Sequence, residues 1–266
     1  MNVLITGTAS GIGQAVARYF IEQGHTVWGI DTANAPAQKN FHGFIADITD
    51  ETALQQVKNQ LILCGVQLDA ILNIAGIHAM VSLVESDYNS MKKLVDINLE
   101  GTMLVNRMFY QLLAEDGRII IVTSEVAGFD PMPFNGLYSM TKAALDSYAQ
   151  ALRQELNLLG KIVITIRPGA VETPLSEASI KATRDLANST LLYKNQAKNF
   201  AGLAAMFMGK PIKPEVLAAL IYKATVSRHP KLTYNKHHNI GLVLLNILPK
   251  RLQCSVIKFL LNINLF

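Results

Sequence analysis

The sequence predicts an α/β fold in which one doubly wound parallel sheet carries helices on both faces. Short apolar runs alternate with segments of helical periodicity through the first 170 residues, as buried parallel strands and their crossover helices do. A glycine-rich turn stands between the first apolar run and the first helical segment. The chain has 266 residues, of which 50% are hydrophobic, and can bury one large core.

The individual elements follow from this alternation. The predicted strands cover residues 2–6, 26–31, 43–46, 68–73, 118–124 and 162–167. The predicted helices cover residues 11–23, 50–63, 87–113 and 138–159. The segment between Asp31 and Asp47 is short and rich in Ala, Asn and Pro, which predicts an abbreviated crossover without a full helix.

The sequence divides into a main domain and a C-terminal extension. The main domain is predicted to span residues 1–235, and its weakly periodic segment at about 174–209 is interpreted as a lid over a substrate. Residues 236–266 form a basic, amphipathic extension, which Pro249 breaks into two short helical pieces.

Charge is distributed unevenly along the chain. The formal net charge is +4, but residues 1–193 hold 13 Lys/Arg against 19 Asp/Glu, whereas residues 194–266 hold 11 against the single acid Glu215. A basic, Leu/Ile-rich segment favours peripheral contact with a membrane surface, or an acidic partner, over nucleic acid.

Several classes of protein are excluded by simple patterns. The two cysteines cannot form a disulfide framework, and no Cys/His spacing predicts a metal site. No basic region precedes the N-terminal apolar residues, and no uncharged apolar run reaches the roughly 18 residues of a spanning helix. We therefore expect a cytoplasmic protein.

The glycine-rich turn reads Thr6-Gly7-Thr8-Ala9-Ser10-Gly11-Ile12-Gly13. Glycines at this position allow close approach to a pyrophosphate at the helix N-terminus, although such a turn can also be purely structural. Asp31 ends the second strand, where a carboxylate binds ribose hydroxyls and repels a 2′-phosphate, unless it only caps a turn. No Lys or Arg lies at 8–10 or 30–33, so the sequence favours NAD. Asp47 leaves two roles open, an adenine contact and a helix cap.

Tyr138 and Lys142 stand four residues apart in a predicted helix. They share one helix face, where an ammonium lowers the pKa of a phenol and suits it to acid/base chemistry. The alternative is an exposed helical pair of no chemical significance. The pair follows a predicted strand that ends in Thr123-Ser124, at the edge where open α/β sheets bind ligands.

Together these residues resemble the short-chain dehydrogenase/reductase family, classical type, over nearly the whole chain up to about residue 235. The resemblance rests on residues 6–13, Asp31, Asp47, residues 73–76, Asn98, Ser124, Tyr138, Lys142 and residues 168–173. It implies a Rossmann-like domain and an NAD(H)-dependent oxidoreductase that interconverts a secondary alcohol and a ketone.

The resemblance also implies a role for each residue. Tyr138 would be the acid/base, Lys142 would hold the nicotinamide ribose and lower the tyrosine pKa, Ser124 would bond the substrate oxygen, and Asn98 would anchor a water of the proton relay. Val171 and Thr173 would contact the nicotinamide carboxamide. The implied cofactor-binding residues are Gly7, Ser10, Gly11, Ile12, Gly13, Asp31, Asp47, Ile48, Asn73, Ala75, Gly76, Tyr138, Lys142, Pro168, Gly169, Val171 and Thr173.

The sequence departs from the family pattern twice. Ile74 replaces the second Asn of an Asn-Asn-Ala-Gly segment. The family's serine commonly lies about thirteen residues before the tyrosine, where this chain has Glu125, and Ser124 lies one residue earlier. We assign Ser124, with Glu125 facing the substrate as the alternative.

Substrate and assembly are predicted only by analogy. Residues 229–234 and the Leu-rich extension look like the retinol and hydroxysteroid dehydrogenase branch, which implies a lipophilic small-molecule substrate. A small polar alcohol and a non-catalytic dinucleotide-binding redox sensor remain the alternatives. Many relatives pair through the helices at 98–114 and 138–159, which implies a homodimer or homotetramer.

Overall fold

The computed structural model of the chain describes residues 1–207, 211–236 and 239–263, and leaves out the side chains of residues 204–207. Its strands are β1 (Asn2–Thr6), β2 (Thr26–Asp31), β3 (Phe41–Ile45), β4 (Leu68–Asn73), β5 (Leu113–Val122), β6 (Ile162–Pro168) and β7 (Thr233–Lys236). They form one parallel sheet in the order β3-β2-β1-β4-β5-β6-β7. The predicted doubly wound, Rossmann-like fold is confirmed, with its change of winding direction between β1 and β4.

Helices cover both faces of this sheet. They are α1 (Gly11–Glu22), α2 (Glu51–Leu63), α3 (Tyr88–Val95), α4 (Thr102–Phe109), α5 (Gly136–Asn157), α6 (Pro174–Ser189), α7 (Lys194–Phe207), α8 (Pro214–Val226), α9 (Ile240–Ile247) and α10 (Lys250–Asn262). Alternate residues of β1 point to opposite faces: Leu4 packs in a core with α2, α4 and α5, and Val3 and Ile5 pack with α1 and α8.

The segment predicted as one helix at 87–113 is interrupted. It comprises α3, a π-helical stretch at Asp96–Gly101, α4 and a 3-10 turn at Tyr110–Leu112. The fully buried Asn98 lies in the π-helical stretch, where its amide bonds to backbone outside the helix. Such bulges commonly mark functional positions in helices.

Two other segments differ from the expectation or refine it. The short edge strand β7 pairs with β6 and was not predicted, because its four residues carry no apolar alternation. The segment predicted to be a lid comprises α6 and α7, and its last two residues, 208 and 209, lie outside the described residues, as do 237, 238 and 264–266 of the extension. The connection from β2 to β3 lacks a helix, as expected.

No helix in the described ranges is long and apolar enough to cross a bilayer.

An ion pair holds α5 against the sheet. Asp146 of α5 accepts hydrogen bonds from Nε and Nη2 of Arg167 in β6, at 2.8 and 2.5 Å. This bidentate ion pair is partly buried and has the geometry of a strong guanidinium–carboxylate interaction. It fixes the helix so that its first turns lie at the carboxyl end of β5.

Gly13 provides a test of the glycine-rich turn. A Cβ at this position would lie 1.9 Å from the carbonyl oxygen of Gly7, so Gly13→Ala must push α1 away from the turn. We expect the free energy of unfolding, measured by urea denaturation, to fall by about 1–3 kcal/mol. Gly128→Ala is the matched control, because no atom lies within 4 Å of its Cβ position. Equal stability of the two variants would contradict this packing.

Candidate functional site

A cavity of about 270 Å³ lies at the carboxyl ends of the central strands. Its walls include eleven of the residues expected to bind a cofactor: Gly7, Ser10, Gly11, Ile12, Gly13, Asp31, Asp47, Ile48, Ala75, Gly76 and Thr173. The residues that were not foreseen are mostly apolar: Ile30, Thr32, Ala46, Ile74, Ile77, Ile97, Pro174 and Leu175. They come from connections far apart in sequence, so no local pattern could have indicated them.

The glycine-rich turn is tied to both neighbouring strands. Thr6 Oγ1 accepts hydrogen bonds from the backbone N–H groups of Ile74 and Ala75, both at 3.1 Å, and the Gly7 N–H donates to Ile30 O at 2.8 Å. Ser10 makes no side-chain cap on α1, and the first turn of α1 has no acidic residue. The helix N-terminus therefore fits the phosphates of a dinucleotide.

Two carboxylates lie on the walls of the same cavity. Asp31 accepts from Ala9 N at 2.9 Å and from Ala33 N at 3.1 Å, so it fixes the turn while lining the cavity. Asp47 accepts from the N–H and hydroxyl groups of Thr49. The N-cap of α2 is Asp50. Asp47 is therefore not a helix cap, and the adenine contact is the role left open for it.

Lys142 and Tyr138 come together in the first turns of α5. Lys142 Nζ lies 5.8 Å from the centroid of the Tyr138 ring and donates to Val122 O at 3.4 Å. Lys142 is only 5% exposed, and this burial lowers its pKa to about 8. The pair is therefore not an exposed helical pair.

The pKa of Tyr138 differs from the expectation. Although the residue as a whole is only partly buried, desolvation raises its pKa to about 12, against the lowering effect of a hydrogen bond with Ser124. We had expected Lys142 to lower this pKa. Burial dominates instead, because a phenolate is costly in an apolar environment, and Lys142 is not among the groups that shift this pKa.

Ser124 is the polar side chain close enough to Tyr138 to lower its pKa. It caps a 3-10 turn at Glu125–Gly128, and its hydroxyl accepts from Val126 N. The neighbouring Glu125 carboxylate accepts from Asn239 N at 2.7 Å, so it is directed to the C-terminal extension. This geometry favours Ser124 over Glu125 as the residue beside Tyr138.

Asn98 fastens the π-helical stretch to the cavity wall. Its Oδ1 accepts from Ile77 N at 2.8 Å, and its Nδ2 donates to Ile77 O at 2.9 Å and to Thr141 Oγ1 at 3.2 Å. A Cβ on Gly76 would lie 3.1 Å from Asn98 Oδ1 and 3.5 Å from Lys142 Nζ. A glycine at 76 therefore leaves room for both groups.

Six of the expected cofactor residues do not line the cavity: Tyr138 and Lys142, described above, and Asn73, Pro168, Gly169 and Val171. Asn73 is buried and donates to Asn106 Oδ1 at 2.8 Å, which braces β4 against α4. Pro168 ends β6, the Gly169 N–H donates to Lys236 O, and Val171 forms a parallel bridge with Ile212. Among the described residues, no cluster of His, Cys, Asp and Glu could hold a metal ion.

His78 lies beside Tyr138 and was not among the expected site residues. Its ring centroid is 4.4 Å from that of Tyr138, and its Nε2 is 3.0 Å from Asn135 Oδ1. Burial and the charge of Lys142 lower its pKa. In the sequence, only its position two residues after Gly76 could have indicated that it lies near the site.

The fold and this site are those of a dinucleotide-binding oxidoreductase. The model of the family described as short chain dehydrogenase matches residues 1–184. The chain belongs to the short-chain dehydrogenase family, whose members bind a nicotinamide dinucleotide.

Individual relatives differ in substrate and cofactor. Serine 3-dehydrogenase of Agrobacterium fabrum is 31% identical over 183 residues, 65% of this chain and 72% of the relative. The NADPH-dependent 1-acyldihydroxyacetone phosphate reductase of Schizosaccharomyces pombe is 31% identical over 180 residues, 65% of this chain and 60% of the relative. A short chain dehydrogenase of Mycobacterium paratuberculosis bound to NAD has a TM-score of 0.73 at 21% identity, covering 88% of this chain and 94% of that one.

The buried lysine makes stability depend on pH. Between pH 8 and its ordinary pKa of 10.5, Lys142 is protonated in the unfolded chain but not in the fold, so the free energy of unfolding rises with pH. Above about pH 10 Tyr138 acts in the opposite direction, because its pKa in the fold is about 12. Urea denaturation without cofactor should therefore show the rise between about pH 8 and 10.

The variant Lys142→Met should remove this rise and stabilise the protein at pH 7 by up to about 3 kcal/mol. Lys223→Met is the control, because Lys223 is exposed on α8. A rise that persists in Lys142→Met would show that another group causes it.

Proposed function

We propose that the chain transfers hydride between NAD(H) and a secondary alcohol or ketone, with Tyr138 as the acid/base. The observation that carries the proposal is the grouping of the Tyr138 hydroxyl with Ser124 and of its ring with the buried Lys142. A bound nicotinamide would supply or accept the hydride. A redox sensor without turnover would have no need of this grouping.

Each side chain has a defined task in this proposal. Ser124 donates a hydrogen bond to the substrate oxygen, and Tyr138 gives that oxygen a proton or takes one from it. Lys142 stabilises the phenolate that remains and holds the nicotinamide ribose. Asn98 is a positioning residue that anchors a relay water and, through its bonds to Ile77, holds the wall beside the site.

The raised pKa of Tyr138 bears on the starting state. At neutral pH the phenol keeps its proton in the protein without cofactor, and this is the form that protonates a ketone oxygen. Alcohol oxidation instead requires the phenolate, so this direction is favoured as the pH rises toward the pKa of Tyr138.

NAD is the proposed cofactor. The Asp31 carboxylate lines the cavity, and no basic residue at 8–10 or 30–33 could neutralise a 2′-phosphate. The relatives do not decide the choice, since one is named as NADPH-dependent and another is bound to NAD.

The proposed substrate is lipophilic, as in the retinol and hydroxysteroid dehydrogenase branch. The lid packs in an apolar cluster that includes Phe134, Leu186 and Phe200. A small polar alcohol is the second candidate, because one relative is named for serine.

Further parts of the proposal concern assembly and location. Residues 1–235 form the catalytic domain, and pairing of subunits through α4 and α5 gives a homodimer or homotetramer. The exposed residues Ala143, Ser147 and Ala151 on α5 would allow close approach. We propose a cytoplasmic protein with peripheral membrane contact through residues 236–266.

Tyr138→Phe tests the acid/base assignment. We expect kcat with a panel of secondary alcohols and ketones to fall about 10²- to 10⁴-fold, because the proton has no carrier, while fluorescence titration still detects NADH binding. Tyr148→Phe on the same helix is the control, since its hydroxyl accepts only from Asn106 among the described residues. Wild-type turnover in Tyr138→Phe would end the proposal.

Asp31→Asn tests the cofactor preference. The amide oxygen can still accept from Ala9 N, but the negative charge that repels a 2′-phosphate is gone. We expect the ratio of kcat/KM with NADP to that with NAD to rise at least about tenfold, the equivalent of about 1.4 kcal/mol. Asp47→Asn, in the same cavity, should change the ratio less, and an unchanged ratio in Asp31→Asn would refute the role of its charge.

A further inference from the structure

Helix α9 lies on the surface with an apolar stripe facing outward. Its residues Ile240, Val243, Leu244 and Ile247 follow the i, i+3, i+4, i+7 spacing of one helix face, and Ile240, Leu244 and Ile247 are 74%, 61% and 73% exposed. The helix contains no charged residue and no buried one. A contiguous apolar stripe of this kind on a surface helix marks an interaction site.

The outer face of α10 adds basic charge to exposed apolar groups. Arg251 and Lys258 are exposed seven residues apart, and each is followed by an exposed apolar residue, Leu252 or Phe259. The sequence after Glu215 contains no acidic residue, so nothing on this part of the chain offsets the charge. Basic residues beside aromatic and aliphatic ones are the pattern of helices that lie in a lipid interface.

We propose that the outer faces of α9 and α10 form a docking surface for an anionic lipid bilayer. The surface, called here the α9–α10 face, consists of Ile240, Val243, Leu244, Ile247, Arg251, Leu252, Lys258 and Phe259. The charges attract anionic headgroups and the apolar side chains enter the acyl boundary. A protein partner with an acidic surface would match the charges but not the uncharged apolar stripe of α9.

The inner faces of these helices contact α7 of the proposed lid and the loop that follows Ser124. Asn199 of the lid donates to the carbonyl oxygens of Leu261 and Ile263, at 2.9 and 2.8 Å. Asp130, just after the Ser124 turn, pairs with Lys250 and accepts from Gln253 at 3.1 Å. A bilayer on the α9–α10 face would therefore lie beside the lid.

This position deepens the proposed function and rests on it, because it gives a lipophilic alcohol a route from the bilayer to the site. Docking itself needs no turnover. Its failure can therefore be told apart from failure of the acid/base assignment.

The test is sedimentation of the full chain with vesicles of phosphatidylcholine containing phosphatidylglycerol, and with vesicles of phosphatidylcholine alone. We expect binding to the anionic vesicles at low salt that weakens as salt is added, because the charges are screened. The variants Leu244→Glu/Ile247→Glu and Arg251→Glu/Lys258→Glu should each lower the affinity at least about tenfold.

Two matched variants serve as controls. Leu63→Glu/Leu158→Glu changes residues that are 78% and 83% exposed at the C-terminal ends of α2 and α5, which lead into the amino ends of β4 and β6, and should bind like wild type. Lys223→Glu/Arg228→Glu makes the same charge reversal at other exposed positions and should weaken binding less than Arg251→Glu/Lys258→Glu. The variant Leu244→Glu/Ile247→Glu should keep wild-type turnover of a water-soluble secondary alcohol.

Three results would overturn the proposal. One is absence of wild-type binding to anionic vesicles at low salt. Another is equal loss of binding in the α9–α10 variants and their controls. The third is a lower mass by light scattering for Leu244→Glu/Ile247→Glu without vesicles, which would assign the stripe to contact between two copies of the chain.

Discussion

Lys142 holds an ammonium group almost entirely out of solvent at the edge of the sheet, and the parts of the site are arranged around it. The group is within reach of the Val122 carbonyl and lies beside the Tyr138 ring. A Cβ at position 76 would lie 3.1 Å from Asn98 Oδ1 and 3.5 Å from Lys142 Nζ, so glycine leaves space for the ammonium beside Asn98. Because an unsolvated cation is costly, the strand end, the first turns of α5 and the π-helical stretch must all meet at this point.

The parallel sheet brings these segments together, because the carboxyl ends of parallel strands lie at the same edge of the sheet. The Asp146–Arg167 ion pair fixes α5 against β6, and the Thr6 hydroxyl ties the glycine-rich turn to β4. The cavity at the glycine-rich turn and the Tyr138–Lys142 pair are therefore both held by one rigid sheet. Geometry built on rigid elements is what proton and hydride transfer require.

The C-terminal helices connect this chemistry to the surface of the molecule. Their inner faces bond to the lid through Asn199 and to the loop after Ser124 through Asp130. Their outer faces are apolar and basic. The segment with the strongest positive charge therefore contacts α7 and the loop after Ser124 as well as solvent.

Spacing along the sequence was sufficient to predict those parts of the site whose residues lie close together in the chain. The glycine-rich turn, the carboxylate at the end of β2 and the four-residue interval from Tyr138 to Lys142 are such patterns, and all lie at the same edge of the sheet. The alternating core and the doubly wound fold follow from hydrophobic periodicity, because burying an apolar face is the dominant driving force.

Only the tertiary structure decided what depends on neighbours distant in sequence. It placed Ser124 beside Tyr138 and directed Glu125 to Asn239, made Asn73 a brace under the sheet, and paired β7 with β6. It also raised the pKa of Tyr138, which the spacing to Lys142 had indicated would fall. The reason is desolvation: the cost of a charge depends on which groups surround it in three dimensions, and sequence spacing specifies few of them.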